Sequence, residues 1–135
     1  MKIVGHNISK ILAEKKDTPK GKITLNTNID INHISELNFD TITPKGKLLG
    51  VNYTLTFTYD PDFAKIELKG SFIIEIAKEL AEKAIKDWET KKVDSDLHLL
   101  LTNIILQKSH LKALQLEEEL GLPLHFQLPE ISLKK

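Results

Sequence analysis

The spacing of apolar residues changes once along this chain, near Ala77, and that change decides the class of fold available to it. Before Ala77 apolar residues recur at every second position, and after it at every third or fourth. Strands that all precede helices exclude the alternating pattern of a parallel, doubly wound sheet. They point to an α+β domain, an antiparallel sheet with its helices segregated to one face.

Four stretches supply the strands. Between Lys22 and His33, residues Ile23, Leu25, Thr27, Ile29, Ile31 and His33 share one side, opposite Lys22, Thr24, Asn26, Asn28, Asp30 and Asn32. Leu49, Val51, Tyr53, Leu55, Phe57 and Tyr59 form the apolar side of the next. Asp60-Pro61-Asp62 then reverses the chain, Pro61 presetting φ for a turn. Ala64, Ile66, Leu68, Gly70, Phe72, Ile74 and Ile76 face inward in the strand that follows. Ile3 to Lys15 reads as one more strand. The breakers Thr18-Pro19-Lys20-Gly21 and Thr43-Pro44-Lys45-Gly46 separate these elements.

Ala77, Leu80, Ala81, Ala84, Ile85 and Trp88 then define an amphipathic helix. Its outer side carries Glu79/Lys83 and Glu82/Lys86 four residues apart, in the favourable order. A longer helix opens with Asp94 or Ser95 as its cap and runs to about Leu120. Gly121 is its expected C′ residue, and Pro123 forbids continuation. Leu97, Leu100, Leu101, Ile104 and Leu111 cover one side of this helix. Leu99, Leu106, Ala113, Leu114 and Leu120 cover much of the other. One side can lie on the sheet; the other needs a second helix or another subunit. Leu99, Leu106, Leu114 and Leu120 are therefore the expected oligomer interface. The chain closes with Leu122, Leu124, Phe126 and Leu128 in alternation, an extended segment kept out of a central strand by Pro123 and Pro129.

At 135 residues, the whole of 1–135 is expected to be a single domain. Nineteen lysines balance nineteen acidic residues, and arginine is absent. A neutral chain without the planar guanidinium fork lacks the electrostatic footprint of a nucleic-acid binder. With no cysteine, thiolate metal sites, disulfides and a cysteine nucleophile are excluded. The most apolar stretch, Leu97 to Leu116, is broken by His98, Asn103, Gln107, Lys108, His110 and Lys112, which argues against membrane insertion. The N-terminal residues lack the apolar core of a signal peptide, so a cytoplasmic location is expected.

No convergent set of catalytic groups is visible, and a non-enzymatic protein without cofactor is expected. His6, His33, His98, His110 and His125 show no metal-ligand spacing and read as surface or interface histidines. Asp60 and Asp62 are first a turn. Glu117-Glu118-Glu119 reads as a solvated face or a dock for a basic partner. Two features remain. Tyr53, Phe57 and Tyr59, with Phe63 and Phe72, read as an aromatic core under the helices. The Leu122–Leu128 segment either packs on its own domain or borders an apolar groove for an extended peptide.

Three stretches carry a family likeness. VNYTLTFTY, followed by a hairpin and AKIELKGSFII, resembles the central strand pair of the SecB-type export chaperones. LHLLLTNIILQKSHLKALQLEEELG occupies the place of their long packing helix. GLPLHFQLPEI resembles their closing motif, with Pro123 and Pro129 as its proline pair. The resemblance, shared with SecB-like chaperones attached to toxin–antitoxin systems, implies an ATP-independent holdase. Such a protein binds unfolded polypeptides in apolar grooves and assembles as a dimer or a dimer of dimers. Within this chain, client contact is expected at Leu122, Leu124, Phe126 and Leu128, with Trp88 as a further candidate. Export members dock a translocation motor through an acidic surface, whereas the outward strand faces here are rich in Asn, Thr and paired Lys/Glu. A non-catalytic oligomeric scaffold or antitoxin-binding module on the same fold is the alternative.

Overall fold

A computed structural model of the chain describes residues 2–18, 21–38, 46–90 and 95–125. Pro19, Lys20, Thr43–Lys45, the Asp94 cap, Phe126, Leu128 and Pro129 lie outside the described residues. Strands β1 (Lys2–Lys15), β2 (Thr24–Leu37), β3 (Lys47–Asp60) and β4 (Ala64–Ile76) precede helices α1 (Lys78–Glu89) and α2 (Ser95–Leu120). The strands make one antiparallel sheet in the order β1-β4-β3-β2. This is the α+β architecture expected, a four-stranded antiparallel sheet followed by two C-terminal helices.

The central places go to the β3–β4 hairpin, whose alternation is unbroken. Val51, Tyr53, Leu55, Phe57, Tyr59, Ile66, Leu68, Phe72 and Ile74 are all 1% exposed or less. Burying each large apolar side chain is worth roughly 1.5–3 kcal/mol, so this row dominates stability. The edge position of β2 suits its exposed Asn26, Asn28, Asp30 and Asn32, which blunt pairing with another sheet.

Register irregularities explain where the two outer strands depart from simple alternation. In β2 one falls between Ile31, paired with Tyr53, and His33, paired with Asn52. The extra residue inverts the pattern, so His33, expected on the apolar side, is exposed, and Ile34 is buried instead. β1 carries two such shifts, between Ile3 and Gly5 and between Ile8 and Lys10. Its residues opposite the inward side of β4 are therefore Ile3, His6, Ile8, Ile11, Ala13 and Lys15, a row no single period reveals.

Both helices join the same core, through Ala81 and Ala84 of α1 and Leu101, Ile104, Ile105 and Ala113 of α2. Small residues let α1 approach closely, with Ile85 and Trp88 packed at its margin. Leu80 departs from expectation: it is 58% exposed, because the contact centres on Ala81 and Ala84 and leaves it at the rim. At the end of α2, Gly121 has φ +65°, a conformation that a Cβ would strain. The Gly121 N–H donates to the Glu118 carbonyl at 3.1 Å and the Leu122 N–H to that of Glu117 at 2.8 Å. This is a Schellman cap, and it turns Leu122 back into the core at 6% exposure.

Candidate peptide-binding groove

Helix α2 lies on the sheet along a row spaced by four: Leu101, Ile105, Ser109, Ala113 and Glu117, each 1% exposed or less. Such a row is inclined to the helix axis, so α2 crosses the strands obliquely. Two members are polar, and each meets a tyrosine of β3. The Ser109 hydroxyl is 3.0 Å from that of Tyr53, which also lies 2.6 Å from His6 Nε2. The Tyr59 hydroxyl is 2.6 Å from Glu117 Oε2 and 2.9 Å from the Pro123 carbonyl oxygen. A phenol has one proton, and the carboxylate is the nearer and stronger acceptor.

Glu117 is thus a buried carboxyl group that meets three hydrogen-bond donors. Its Oε2 also accepts the His125 backbone N–H at 2.7 Å, and its Oε1 is bonded by His125 Nδ1. A buried carboxylate without partners would cost several kcal/mol, so these donors are what make its position tenable. They also tie the segment after α2 to the helix end. Burial and the Ser109 bond act in opposite senses on the Tyr53 phenol, and burial wins, raising it above its ordinary range. Burial, the Glu117 hydrogen bond and the Glu117 charge together push Tyr59 far above that range. Burial and the nearby Lys108 ammonium hold His6 below the usual imidazole value.

Beside this network, α2 leaves part of β2 uncovered. Thr27 of β2, Phe57 of β3, Leu106, Gln107 and His110 of α2, and His125 line an open groove of about 480 Å³. That is within the ~300–1,000 Å³ span of sites that hold small ligands or a few side chains. Its floor and one wall are apolar. The His125 ring lies tilted on Phe57, with centroids 4.6 Å apart. Leu25, Ile29 and Ile31 of β2 are half-buried on the same inward side. On α2, Leu99, Leu100 and Leu111 are exposed, Leu111 at 77%.

None of Leu122, Leu124 and Trp88, the described residues expected to touch a client, lines this groove. Leu122 is sealed in the core by the helix cap, and Leu124 is exposed at 38%. Trp88 is half-buried at the α1 margin, edge-on to His33 at 6.3 Å. Of the expected oligomer-interface residues, Leu99 is exposed at 60%, Leu114 is half-exposed, and Leu106 and Leu120 pack partly against the core. Leu106 also forms a groove wall. The reading of Glu117 as a solvated face is overturned: its side chain is buried and hydrogen-bonded. Nor is His125 a surface histidine, with its side chain only 10% exposed. Continuing the four-residue step from Leu101 and Ile105 leads directly to Ser109 and Glu117; the triplet Glu117-Glu118-Glu119 hid that signal.

The four-stranded antiparallel sheet followed by two helices has the form of a SecB-like fold. Among solved structures, the SecB-like chaperone Rv1957 of Mycobacterium tuberculosis, in complex with a ChAD peptide from the Rv1956 HigA1 antitoxin, matches with a TM-score of 0.50. The match covers 99% of this chain and 92% of that one at 14% sequence identity, a likeness of fold. No family model matches the sequence, nor does any curated protein. Among the described residues, no helix is long and apolar enough to cross a membrane.

Proposed function

We propose that this chain is a peptide-binding chaperone that holds apolar segments of non-native polypeptide without ATP or cofactor. The observation that carries this reading is the open apolar groove between α2 and β2. An extended client segment can lay its apolar side chains into a groove with an apolar floor. The groove alone takes only a few side chains. Strong holding therefore needs several such sites acting on one client, which self-association would supply through effective concentration. The exposed Leu99, Leu100 and Leu111 favour that assembly, a homodimer or a dimer of dimers. On this reading the protein works in the cytoplasm and catalyses no bond chemistry of its own.

The direct test is aggregation of a slow-refolding client in the presence of stoichiometric chain. Suppression is expected, and Leu106→Asp, which puts a charge in the groove wall, should weaken it. No protection at stoichiometric amounts would overturn the proposal. A second reading draws on the neighbouring structure, whose bound peptide comes from an antitoxin. Here the client would be one dedicated partner segment rather than unfolded chains at large. Protection of several unrelated clients favours the general holdase. Tight binding of one peptide with no general protection favours the dedicated one. Export is the least supported setting, since among the described residues the outer sheet face pairs its Glu67 with Lys10 and Lys65.

A further inference from the structure

The groove is not apolar throughout. Thr27, Phe57, Leu106, Gln107, His110 and His125 line it, and none of them is a lysine, aspartate or glutamate. Phe57 and Leu106 supply its apolar surface. The imidazoles are committed within the fold, His125 to Glu117 and His110, and His110 to at least one further contact. Thr27 and Gln107 are what remains. Both are exposed, and among the described residues neither side chain is hydrogen-bonded within the fold. An apolar surface alone would not ask for either of them. Thr27 interrupts the inward apolar row Leu25, Ile29 and Ile31 of β2, at the residue that pairs with Phe57. Gln107 stands beside Leu106 on α2, across the groove from β2.

An extended chain sends successive side chains to opposite faces and its peptide groups sideways between them. A segment lying in this groove with a side chain on Phe57 and Leu106 therefore turns its N–H and C=O groups toward α2 on one side and β2 on the other. Peptide groups enclosed there lose water and need replacement partners. A glutamine amide holds donors and an acceptor in one plane, so it meets the C=O and the N–H of a backbone together. A threonine hydroxyl both donates and accepts.

We infer that Gln107 and Thr27 form a main-chain clamp, hydrogen-bonding the backbone of an extended, uncharged client segment while Phe57 and Leu106 receive its side chains. The clamp presupposes the client-binding groove proposed above and sets how that groove chooses its occupant. Backbone groups are the same in every polypeptide, so the clamp selects an extended conformation rather than a sequence. A helical segment, whose peptide groups are bonded to one another, gains nothing from it. A lining without lysine, aspartate or glutamate offers no partner to a charged client side chain, which would lose its water there uncompensated.

The test uses the full chain and a short fluorescein-labelled peptide alternating leucine and serine, read by fluorescence anisotropy. The sign of one substitution separates a clamp from a purely apolar groove. Were side chains alone gripped, Gln107→Leu would enlarge the apolar wall and tighten binding. With the clamp, Gln107→Leu weakens binding about tenfold and Thr27→Val about threefold, while Thr27→Ser keeps the wild-type affinity. Replacing single peptide amides of the probe by esters removes an N–H and leaves every side chain in place. One such ester should weaken binding to the wild type and make no difference to Gln107→Leu. Both positions are exposed, so the variants should keep the wild-type urea midpoint. Tighter or unchanged binding by Gln107→Leu, or equal affinity for every ester probe, would overturn the clamp and leave the groove as the client site. Absence of probe binding by the wild type up to millimolar concentration would overturn both. Leu106→Asp, which should weaken binding with or without a clamp, tells the two failures apart.

Discussion

The two halves of α2 rest on the same sheet by different means. The first half presents Leu101, Ile104 and Ile105 to the core, an apolar contact that is strong but indifferent to small sliding. The second presents Ser109 and Glu117, whose oxygens must meet Tyr53 and Tyr59. Apolar burial supplies most of the free energy, whereas directional bonds between buried polar groups set the register. The polar half also touches the groove. Client binding, on our proposal, occurs beside the part of the helix whose position is most sharply specified.

The comparison breaks first at its apolar end. Ile105→Ala should cost about 2–5 kcal/mol, read as a lowered urea midpoint with unchanged slope. A loss below about 1 kcal/mol would mean that this half of α2 is not packed as described.

The polar end should respond more weakly and more locally. Tyr59→Phe is expected to cost about 1–3 kcal/mol, because Glu117 stays buried with one donor fewer. It should also raise hydrogen exchange at the His125 amide, which shares the same carboxylate oxygen. Tyr59→Phe and Glu117→Gln should not add, with a coupling of about 0.5–3 kcal/mol. Additive losses would dissolve the network into independent contacts.

A smaller effect follows from His6, held below its ordinary imidazole value by burial and Lys108. The unfolded chain takes up a proton at His6 near pH ~6.5, before the folded chain does. Stability from this group is therefore fully present above that pH and declines as pH falls through it toward the lower folded value. Urea midpoints at pH ~7.5 and ~5.5 should differ less in His6→Gln than in the wild type. Equal differences would remove His6 from the account.

The smallest change in stability is expected at Leu111. Leu111→Ser should alter stability by no more than about 0.5 kcal/mol, since the side chain is 77% exposed. Light scattering should nonetheless show weaker self-association. An unchanged oligomer would mean that this leucine does not bridge subunits.

How much of this was legible beforehand depended on whether one period governed a segment. The β3–β4 hairpin reads directly because nothing interrupts its alternation. In β1, the two register shifts change the phase twice within fourteen residues, so its inward row cannot be seen without its partner strand. Gly121 and Pro123 announced the end of α2 through backbone chemistry alone. The groove was the least accessible feature. Thr27, Phe57, His110 and His125 are distant in sequence, and Glu117 is grouped with two exposed acids. Position on a helix row, rather than residue type, carried its meaning.

One small absence ties these regions together. Gly70 pairs directly with Tyr53 across β3 and β4. A methyl group at Gly70 would come within 2.7 Å of the Tyr53 hydroxyl and 2.6 Å of the Asn7 carbonyl oxygen. The phenol reaches both His6 and Ser109 only because that position is vacant. Glycine and tyrosine are therefore one unit of inheritance rather than two. In any descendant of this sequence, a side chain gained at position 70 obliges both a smaller one at 53 and a shift of the β1 backbone at Asn7, and with them the loss of the Tyr53 bridge between the outer strand β1 and the long helix.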